Sequence, residues 1–122
     1  MSLPLYQLEV TQVGDFVAEY LQQHKLILFA EPVPTDIAEY CAIHRPGKFN
    51  AVLLPGQKVT LNSVIYRITA VGSVATANLK QLGHITLNFD GEIDAELPGT
   101  VHLCGPTPEM ILPGDQICIY RE

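Results

Sequence analysis

Among the four histidines of this chain, His44 has the neighbours best suited to chemistry on an anionic group. It ends the strand-like run 39–44 and is followed by Arg45, Pro46 and Gly47. Pro46 fixes its own φ, and Gly47 allows the positive φ that a type II turn requires. We therefore expect His44 to be exposed at a strand end, just before a turn. Imidazole acts as a base near neutral pH, and the guanidinium of Arg45 is a permanent cation.

The other three histidines have simpler interpretations. His24 follows a predicted helix, where its ring can complement the last carbonyl groups. His84 begins an alternating strand and lies on its polar face together with Asp90, a face that is usually solvated. His102 shares a strand face with Cys104, and we expect it to be half-buried and bonded to a neighbouring hydroxyl or carbonyl group.

A metal site is the main competing interpretation, because folding could bring His44, His84, His102 and Cys104 together. No two of these residues show a local ligand spacing such as HxH, HxxxH or CxxC, so the metal signal is weak. The chain also lacks a GxSxG elbow, a Walker motif and a dinucleotide fingerprint.

What remains for His44 is phosphoryl transfer, in which a neutral imidazole nitrogen attacks phosphorus. This chemistry needs alignment and nearby cations rather than a metal or another cofactor on the protein. On the residues alone, a turn histidine with no chemical role stays the simpler interpretation of His44.

Composition limits the class of protein. The 122 residues suffice for one domain, residues 1–122, and 13 acidic against 7 basic residues give a net charge of −6. The sequence contains no cluster of Lys and Arg, which argues against a nucleic acid or an anionic membrane as partner. We expect no membrane insertion, because no apolar run is long enough and the N-terminus lacks signal-peptide features. Cys41, Cys104 and Cys118 are far apart, which favours reduced thiols and a cytoplasmic location.

Short runs rich in Val, Ile, Thr, Leu, Phe and Tyr, separated by Pro and Gly, predict a mostly-β fold. The predicted strands are Leu5–Val13, Leu26–Ala30, Tyr40–His44, Gln57–Leu61, Val64–Val71, His84–Asp90, Gly99–Cys104 and Asp115–Arg121. The predicted helices are Gly14–His24 and Val74–Leu82. Ser73 is the predicted N-cap of the second helix, and Gly83 follows its end. A short helical turn is predicted over Ile37–Tyr40, capped by Thr35 or Asp36.

One short pattern occurs twice. Residues 54–61 and 112–119 both read Leu-Pro-Gly, then two polar residues, then alternating apolar positions. Each predicts a tight turn that leads into a half-buried strand. Recurring corners of this kind fit a barrel or a sandwich.

Longer strings resemble the glucitol/sorbitol-specific enzyme IIA family of the bacterial phosphotransferase system. The similarity runs from about Tyr6 to about Ile119. It is carried by residues 39–41, 43–44, 55–56, 70–75, 78–79, 82–87, 89–91, 95–96, 98–102 and 105–106, which include Gly72-Ser73-Val74-Ala75, Leu82-Gly83-His84 and Pro98-Gly99-Thr100-Val101-His102.

The resemblance implies a single closed β-barrel with one or two short helices. It implies a phosphotransferase component that accepts a phosphoryl group from phospho-HPr and passes it to the enzyme IIB component of a sorbitol/glucitol transporter. The phosphorylated histidine of the family falls on His44. His84 and His102 match further family positions, and we hypothesise that one of them orients His44 or the phosphate. Some members of the family carry a second histidine where this chain has Pro46. A role of Arg45 in binding the phosphate rests only on its charge and its position next to His44.

Two alternatives stay open. The chain could be a non-enzymatic small β-barrel that binds a metal or small ligand through His84 and His102. It could also be a carrier whose phosphorylation state is read by a transcriptional regulator, which is compatible with the relay.

Overall fold

All eight predicted strands are present in residues 3–95 and 97–122, which are the residues that the computed structural model of this chain describes. The strands are β1 Tyr6–Val13, β2 Lys25–Ala30, β3 Cys41–His44, β4 Lys58–Leu61, β5 Val64–Val71, β6 Ile85–Asn88, β7 Thr100–Cys104 and β8 Gln116–Ile119. The helices are α1 Val17–Gln22, α2 Thr35–Ala38 and α3 Ala75–Leu82.

The strands close into a barrel in the order β1-β3-β2-β6-β7-β5-β4-β8, and β8 pairs with β1. Neighbours are antiparallel except for the pairs β2·β3 and β6·β7, which are parallel. Closure leaves no unpaired sheet edge, because every strand has a partner on both sides. The mostly-β closed barrel is therefore confirmed, with three short helices in the described ranges rather than one or two.

Alternation along the strands fills the barrel interior. Tyr6, Leu8 and Val10 of β1 lie in the main core, as do Ile85 and Leu87 of β6. This is the period-two pattern of a strand with one apolar face. The alternation predicted for the strand that follows His84 therefore places Ile85 and Leu87 in the interior.

Strand β3 and the end of β2 are buried on both faces, as is most of β7. Phe29, Cys41 and Ile43 form a second apolar cluster that packs against Ile37 and Ala38 of α2. All four residues of β3 are consequently buried. The sequences of such strands are continuous apolar runs, which is typical of parallel strands covered on both faces.

The repeated Leu-Pro-Gly pattern forms two equivalent corners of the barrel. Gly56 and Gly114 have φ values of 94° and 95°, which a residue with a side chain adopts only under strain. The strands that follow, β4 and β8, pair with each other, with Val59 opposite Ile119. The predicted turns leading into half-buried strands are confirmed.

The helix boundaries differ more from prediction than the strands do. Gly83 does end α3 in the left-handed conformation, with φ of 60°. Ser73 is not its N-cap, because Val74 holds that position and no side chain caps the helix. Pro34 precedes α2 in the same uncapped way, so the predicted capping by Thr35 or Asp36 is wrong.

No helix within residues 3–95 and 97–122 combines the length and hydrophobicity needed to cross a membrane.

Candidate functional site

His44 lies inside the barrel, at the end where β3 finishes. It pairs with Val10 of β1 and with Ala30 of β2, and it is 0 % exposed. The expected exposure at a turn is therefore wrong. Gly47 is not among the glycines with positive φ, and residues 45–50 form no turn. The chain beyond His44 instead folds back over the barrel end, and we refer to this end as the mouth.

Aromatic rings line the mouth beside His44. The ring of Tyr6 meets that of His44 edge-on, with centroids 6.4 Å apart and an interplanar angle of 83°. Phe49 packs on Tyr6 in the same manner at 5.7 Å and is itself buried. Edge-to-face packing of this kind is favourable and fixes the orientation of the rings. The buried Phe49 thus holds residues 45–50 against the mouth.

Both ring nitrogens of His44 face backbone carbonyl oxygens. Nδ1 lies 2.9 Å from the oxygen of Arg45, and Nε2 lies 2.8 Å from the oxygen of Gly83. A neutral imidazole carries one N–H, so it can donate to only one of the two oxygens. The other nitrogen then holds a lone pair, which is the electron pair that a nucleophile needs.

Gly83 fits tightly against His44 because it has no side chain. A Cβ at this position would lie 2.8 Å from Cε1 of His44 and 2.5 Å from Cβ of Ala30. The left-handed φ of 60° also favours glycine. The sequence indicated Gly83 only as a helix terminus, since the contact with His44 depends on where the barrel places α3.

A cavity of about 140 Å³ opens next to Gly83. Pro46, Gly47 and Lys80 are among its lining residues. The carbonyl of Gly83 contacts Nε2 of His44, and Pro46 follows Arg45, whose carbonyl contacts Nδ1, so the cavity wall includes neighbours of both ring nitrogens. A concave site beside a buried histidine is where a small anionic group could be accommodated.

Positive charge is in excess around the mouth, where Glu31 is the acidic residue that lines the cavity. The side chains of Arg45, Lys48 and Lys80 are exposed, and none of them forms an ion pair with another described residue. The backbone carbonyl of Arg45 contacts the His44 ring, whereas its guanidinium makes no hydrogen bond within the described part of the chain. The phosphate role of Arg45 therefore stays a prediction.

His84 directly follows Gly83, but its ring points to the outside of the barrel. It stacks on Phe29 with centroids 4.5 Å apart, and its Nδ1 lies 3.0 Å from the carbonyl oxygen of Leu28. These contacts fix His84 to β2. They give no support to the hypothesis that it orients His44.

His102 lies on another flank of the barrel and is also 0 % exposed. Its Nδ1 is 2.8 Å from Oδ1 of Asp90. The expectation of a half-buried ring is wrong, because the ring is fully buried, and the partner of Nδ1 is a carboxylate. His102 and Asp90 therefore form a fixed pair away from His44.

Electrostatics around Asp90 agree with this pairing. Burial alone would raise the pKa of Asp90, but hydrogen bonds from the His102 ring and the Glu92 N–H, with the charge of His102, lower the pKa below its ordinary value. The ionised carboxylate is thus the stable form in the folded protein.

The metal-binding alternative gains no support. His44, His84 and His102 have separate partners, and Cys104 is exposed. Within residues 3–95 and 97–122, no group of three or more His, Cys, Asp or Glu side chains is arranged to hold a metal. His24 lies apart as well, with Nδ1 2.6 Å from Oγ1 of Thr107 instead of at the helix carbonyls.

Known proteins place this geometry in context. The family model of the PTS system glucitol/sorbitol-specific IIA component matches residues 5–118. The glucitol/sorbitol-specific EIIA components of Shigella flexneri and of Escherichia coli K12 are each 47 % identical over 110 residues, which cover 90 % of this chain and 89 % of the relative.

A solved structure agrees with the family match. The crystal structure of a PTS system IIA component from Enterococcus faecalis V583 has a TM-score of 0.75 and 28 % identity, covering 92 % of this chain and 97 % of that one. The resemblance noted in the sequence is therefore confirmed. This chain belongs to the glucitol/sorbitol-specific IIA family of the phosphotransferase system, and it is a phosphotransferase component that relays phosphoryl groups through a phosphohistidine during sugar uptake.

Proposed function

We propose that His44 is the phosphorylated histidine of this relay. The donor is phospho-HPr, and the acceptor is the enzyme IIB component of a sorbitol/glucitol transporter. The observation that carries the proposal is the setting of the ring, whose two nitrogens face neutral carbonyl oxygens beside a cavity with a basic lining residue. His84 is stacked against β2 and His102 faces a carboxylate, so neither has the same setting.

Nε2 is the nitrogen that attacks phosphorus in this proposal. Nδ1 carries the proton and donates a hydrogen bond to the carbonyl oxygen of Arg45. This bond fixes both the tautomer and the orientation of the ring. The Nε2 lone pair then faces the carbonyl of Gly83, a residue that also lines the cavity. The lone pairs of Nε2 and of the Gly83 oxygen repel each other. The oxygen must therefore move aside before Nε2 can attack phosphorus.

The transfer balances without a further reactant. The N–P bond of the donor phosphohistidine breaks as a new N–P bond forms at Nε2, and the donor imidazole takes back the electron pair of its bond. The second transfer repeats these events towards enzyme IIB. Lys80, which lines the cavity, and Arg45, which precedes Pro46, would attract the phosphoryl oxygens.

Access to a buried ring requires local opening. Residues 45–50 belong to no strand or helix. Within the described part of the chain, their backbone also forms no hydrogen bond with the backbone of another residue. Their displacement would break the contact of Phe49 with Tyr6 and, where it includes Arg45, the hydrogen bond between the His44 ring and the Arg45 carbonyl. Segments with few hydrogen bonds open at low cost in free energy.

A cytoplasmic location and the whole barrel as one functional unit belong to the same proposal. Cys41, Cys104 and Cys118 are free thiols, which suits a reducing compartment. A transcriptional regulator as a third partner stays a prediction. Pulldowns that compare phosphorylated with unmodified protein would test it.

The direct test is phosphorylation in a reconstituted system of phosphoenolpyruvate, enzyme I and HPr. We expect one acid-labile phosphoryl group per chain, none in the His44→Gln variant, and full labelling in the matched His84→Gln variant. Circular dichroism would verify that both variants fold. ³¹P NMR of the adduct distinguishes the two ring nitrogens. Labelling of folded His44→Gln protein would show that the assignment to His44 is wrong.

A further inference from the structure

The hydroxyl group of Tyr6 is buried and has no hydrogen-bond partner among residues 3–95 and 97–122. Tyr6 opens β1 and is 4 % exposed, with its ring in the main core. It is the one buried side-chain nitrogen or oxygen in the described ranges that lacks a partner. Because nearly all buried polar groups in folded proteins are bonded, an exception calls for an explanation.

The position of this hydroxyl links it to the mouth. Its ring meets the His44 ring edge-on at 6.4 Å. A Cβ placed on Gly47 would lie 3.6 Å from the Tyr6 oxygen, so the hydroxyl end of the ring lies against Gly47. Gly47 in turn lines the cavity next to Gly83, whose carbonyl contacts Nε2 of His44. The hydroxyl, the imidazole and the cavity are therefore neighbours.

Packing alone does not account for a tyrosine here. A phenylalanine would keep the edge-on contacts with His44 and Phe49, and it would avoid the cost of burying an unbonded hydroxyl. The oxygen is useful only in a state of the protein in which it has a partner.

We propose that the Tyr6 hydroxyl donates a hydrogen bond to an oxygen of the phosphoryl group carried by His44. This inference rests on the proposed role of His44. A phosphoryl group on the imidazole extends beyond the ring nitrogen, towards the side chains that surround the ring. The phenol keeps its proton throughout, so Tyr6 binds the phosphoryl group and takes no part in the making or breaking of bonds.

The ionisation of Tyr6 is consistent with a donor role. Burial raises the pKa of the Tyr6 phenol above its ordinary value. At neutral pH the group is therefore protonated and can donate to an anionic oxygen. Hydrogen bonds to charged acceptors are stronger than those between neutral groups.

The Tyr6→Phe variant tests the proposal, with Tyr66→Phe as matched control. Tyr66 is also a buried barrel tyrosine, but its hydroxyl donates to the carbonyl of Pro106 at 2.7 Å and its ring packs on Phe89. Two quantities are measured for each variant. One is the equilibrium constant for phosphoryl transfer from phospho-HPr, and the other is the thermal stability of the unphosphorylated protein.

We expect Tyr6→Phe to lower the transfer equilibrium constant roughly tenfold or more. Its unphosphorylated form should be as stable as the wild type or more stable, because an unbonded buried hydroxyl is removed. Tyr66→Phe should lower thermal stability and leave the transfer equilibrium unchanged.

The outcomes separate the two proposals. If the wild type gains no phosphoryl group on His44, the proposed function fails. If the wild type is phosphorylated there and Tyr6→Phe has an unchanged equilibrium constant, the inference on Tyr6 alone is overturned. A clear loss of stability in unphosphorylated Tyr6→Phe would also overturn it, because the hydroxyl would then already have a partner in that state.

Discussion

His44 and His102 are both completely buried in the same barrel, yet their partners differ in charge. His44 faces two neutral carbonyl oxygens, whereas Nδ1 of His102 faces the carboxylate of Asp90. A carboxylate stabilises a proton on the nitrogen that it contacts and holds the ring as part of a fixed pair. In the neutral form each ring keeps one nitrogen with a lone pair, so the lone pair itself does not distinguish the two histidines. Burial and residue type therefore do not separate the two histidines, whereas the charge of the groups around them does.

The surroundings of the two rings reinforce this difference. Three exposed basic side chains and one exposed acidic side chain, Glu31, lie around the mouth, whereas the cavity beside His102 is lined by Asp90, Glu92 and Asp94. Opposite local potentials therefore coexist on a chain with a net charge of −6. An anionic phosphoryl group is favoured at the mouth and disfavoured at the acidic flank.

The largest effect is expected where the backbone itself touches His44. Gly83→Ala places a methyl group 2.8 Å from Cε1 of His44 and 2.5 Å from Cβ of Ala30, at a φ of 60°. We expect a loss of about 3 kcal/mol in the free energy of unfolding, from overpacking and backbone strain together. Phosphorylation should fall at least tenfold even in protein that remains folded, because the imidazole is displaced. Denaturant unfolding and the reconstituted phosphorylation assay measure the two effects.

Gly56→Ala is the matched control for that variant. Gly56 also has positive φ, but a Cβ there meets nothing within 4 Å. We expect only the backbone strain, about 1–2 kcal/mol, and normal phosphorylation. Equal losses of phosphorylation in the two variants would show that strain, and not the contact with His44, is responsible.

The strands were predictable because alternation is a local property. Val64–Val71 was predicted to the residue, and the other strands differ by only a few residues at their ends. Barrel closure came from the family resemblance, because alternation alone does not distinguish a barrel from a sandwich. The helix N-caps were predicted wrongly because Val74 and Pro34 precede their helices without a capping side chain.

The site was predictable only as a residue type and a position. The burial of His44 depends on Tyr6 and Phe49, and the contact with Gly83 depends on the end of α3. These neighbours come from three separate parts of the chain. No local pattern indicates that they meet at one end of a barrel.

The pairing of His102 with Asp90 was missed for a related reason. Strands β6 and β7 are parallel, and their register sets Asn88 opposite His102. Asp90 comes just after β6 and can therefore reach the ring. The sequence placed Asp90 on the face of His84, because alternation describes one strand and says nothing about register between two.

A smaller effect is expected from Asp90→Asn, and it concerns stability instead of transfer. The amide can still accept a hydrogen bond from the His102 ring, but the charge is lost. We expect a loss of about 1–2 kcal/mol in the free energy of unfolding at pH 7, with normal phosphorylation of His44. A large loss of phosphorylation would show that the two histidines are coupled.

The pH dependence of that loss has a defined sign. The pKa of Asp90 is lowered in the folded state, so the ionised carboxylate stabilises the protein above the pKa of the unfolded chain. This stabilisation is lost as the pH falls through the lowered folded-state pKa. The difference between wild type and Asp90→Asn should therefore be present at pH 7 and shrink in acid below the usual carboxyl range. A difference that stays constant at pH values well below that range would contradict the ion pair.

The smallest effect is expected from the charges around the two histidines. Lys80→Gln removes a cation that lines the cavity. It should slow phosphoryl gain from phospho-HPr roughly threefold at low ionic strength, because charges at the rim of a docking surface act mainly on the association rate. Added salt screens such charges, so the difference from wild type should diminish at high ionic strength. Asp94→Asn, on the acidic flank near His102, changes one charge in a residue of similar exposure and should leave the rate unchanged. Stopped-flow or rapid-quench measurement of phosphoryl gain at two salt concentrations checks both variants. If Asp94→Asn alters the rate as much as Lys80→Gln does, the partner responds to the total charge of the chain, and the local contrast between mouth and flank has no kinetic role.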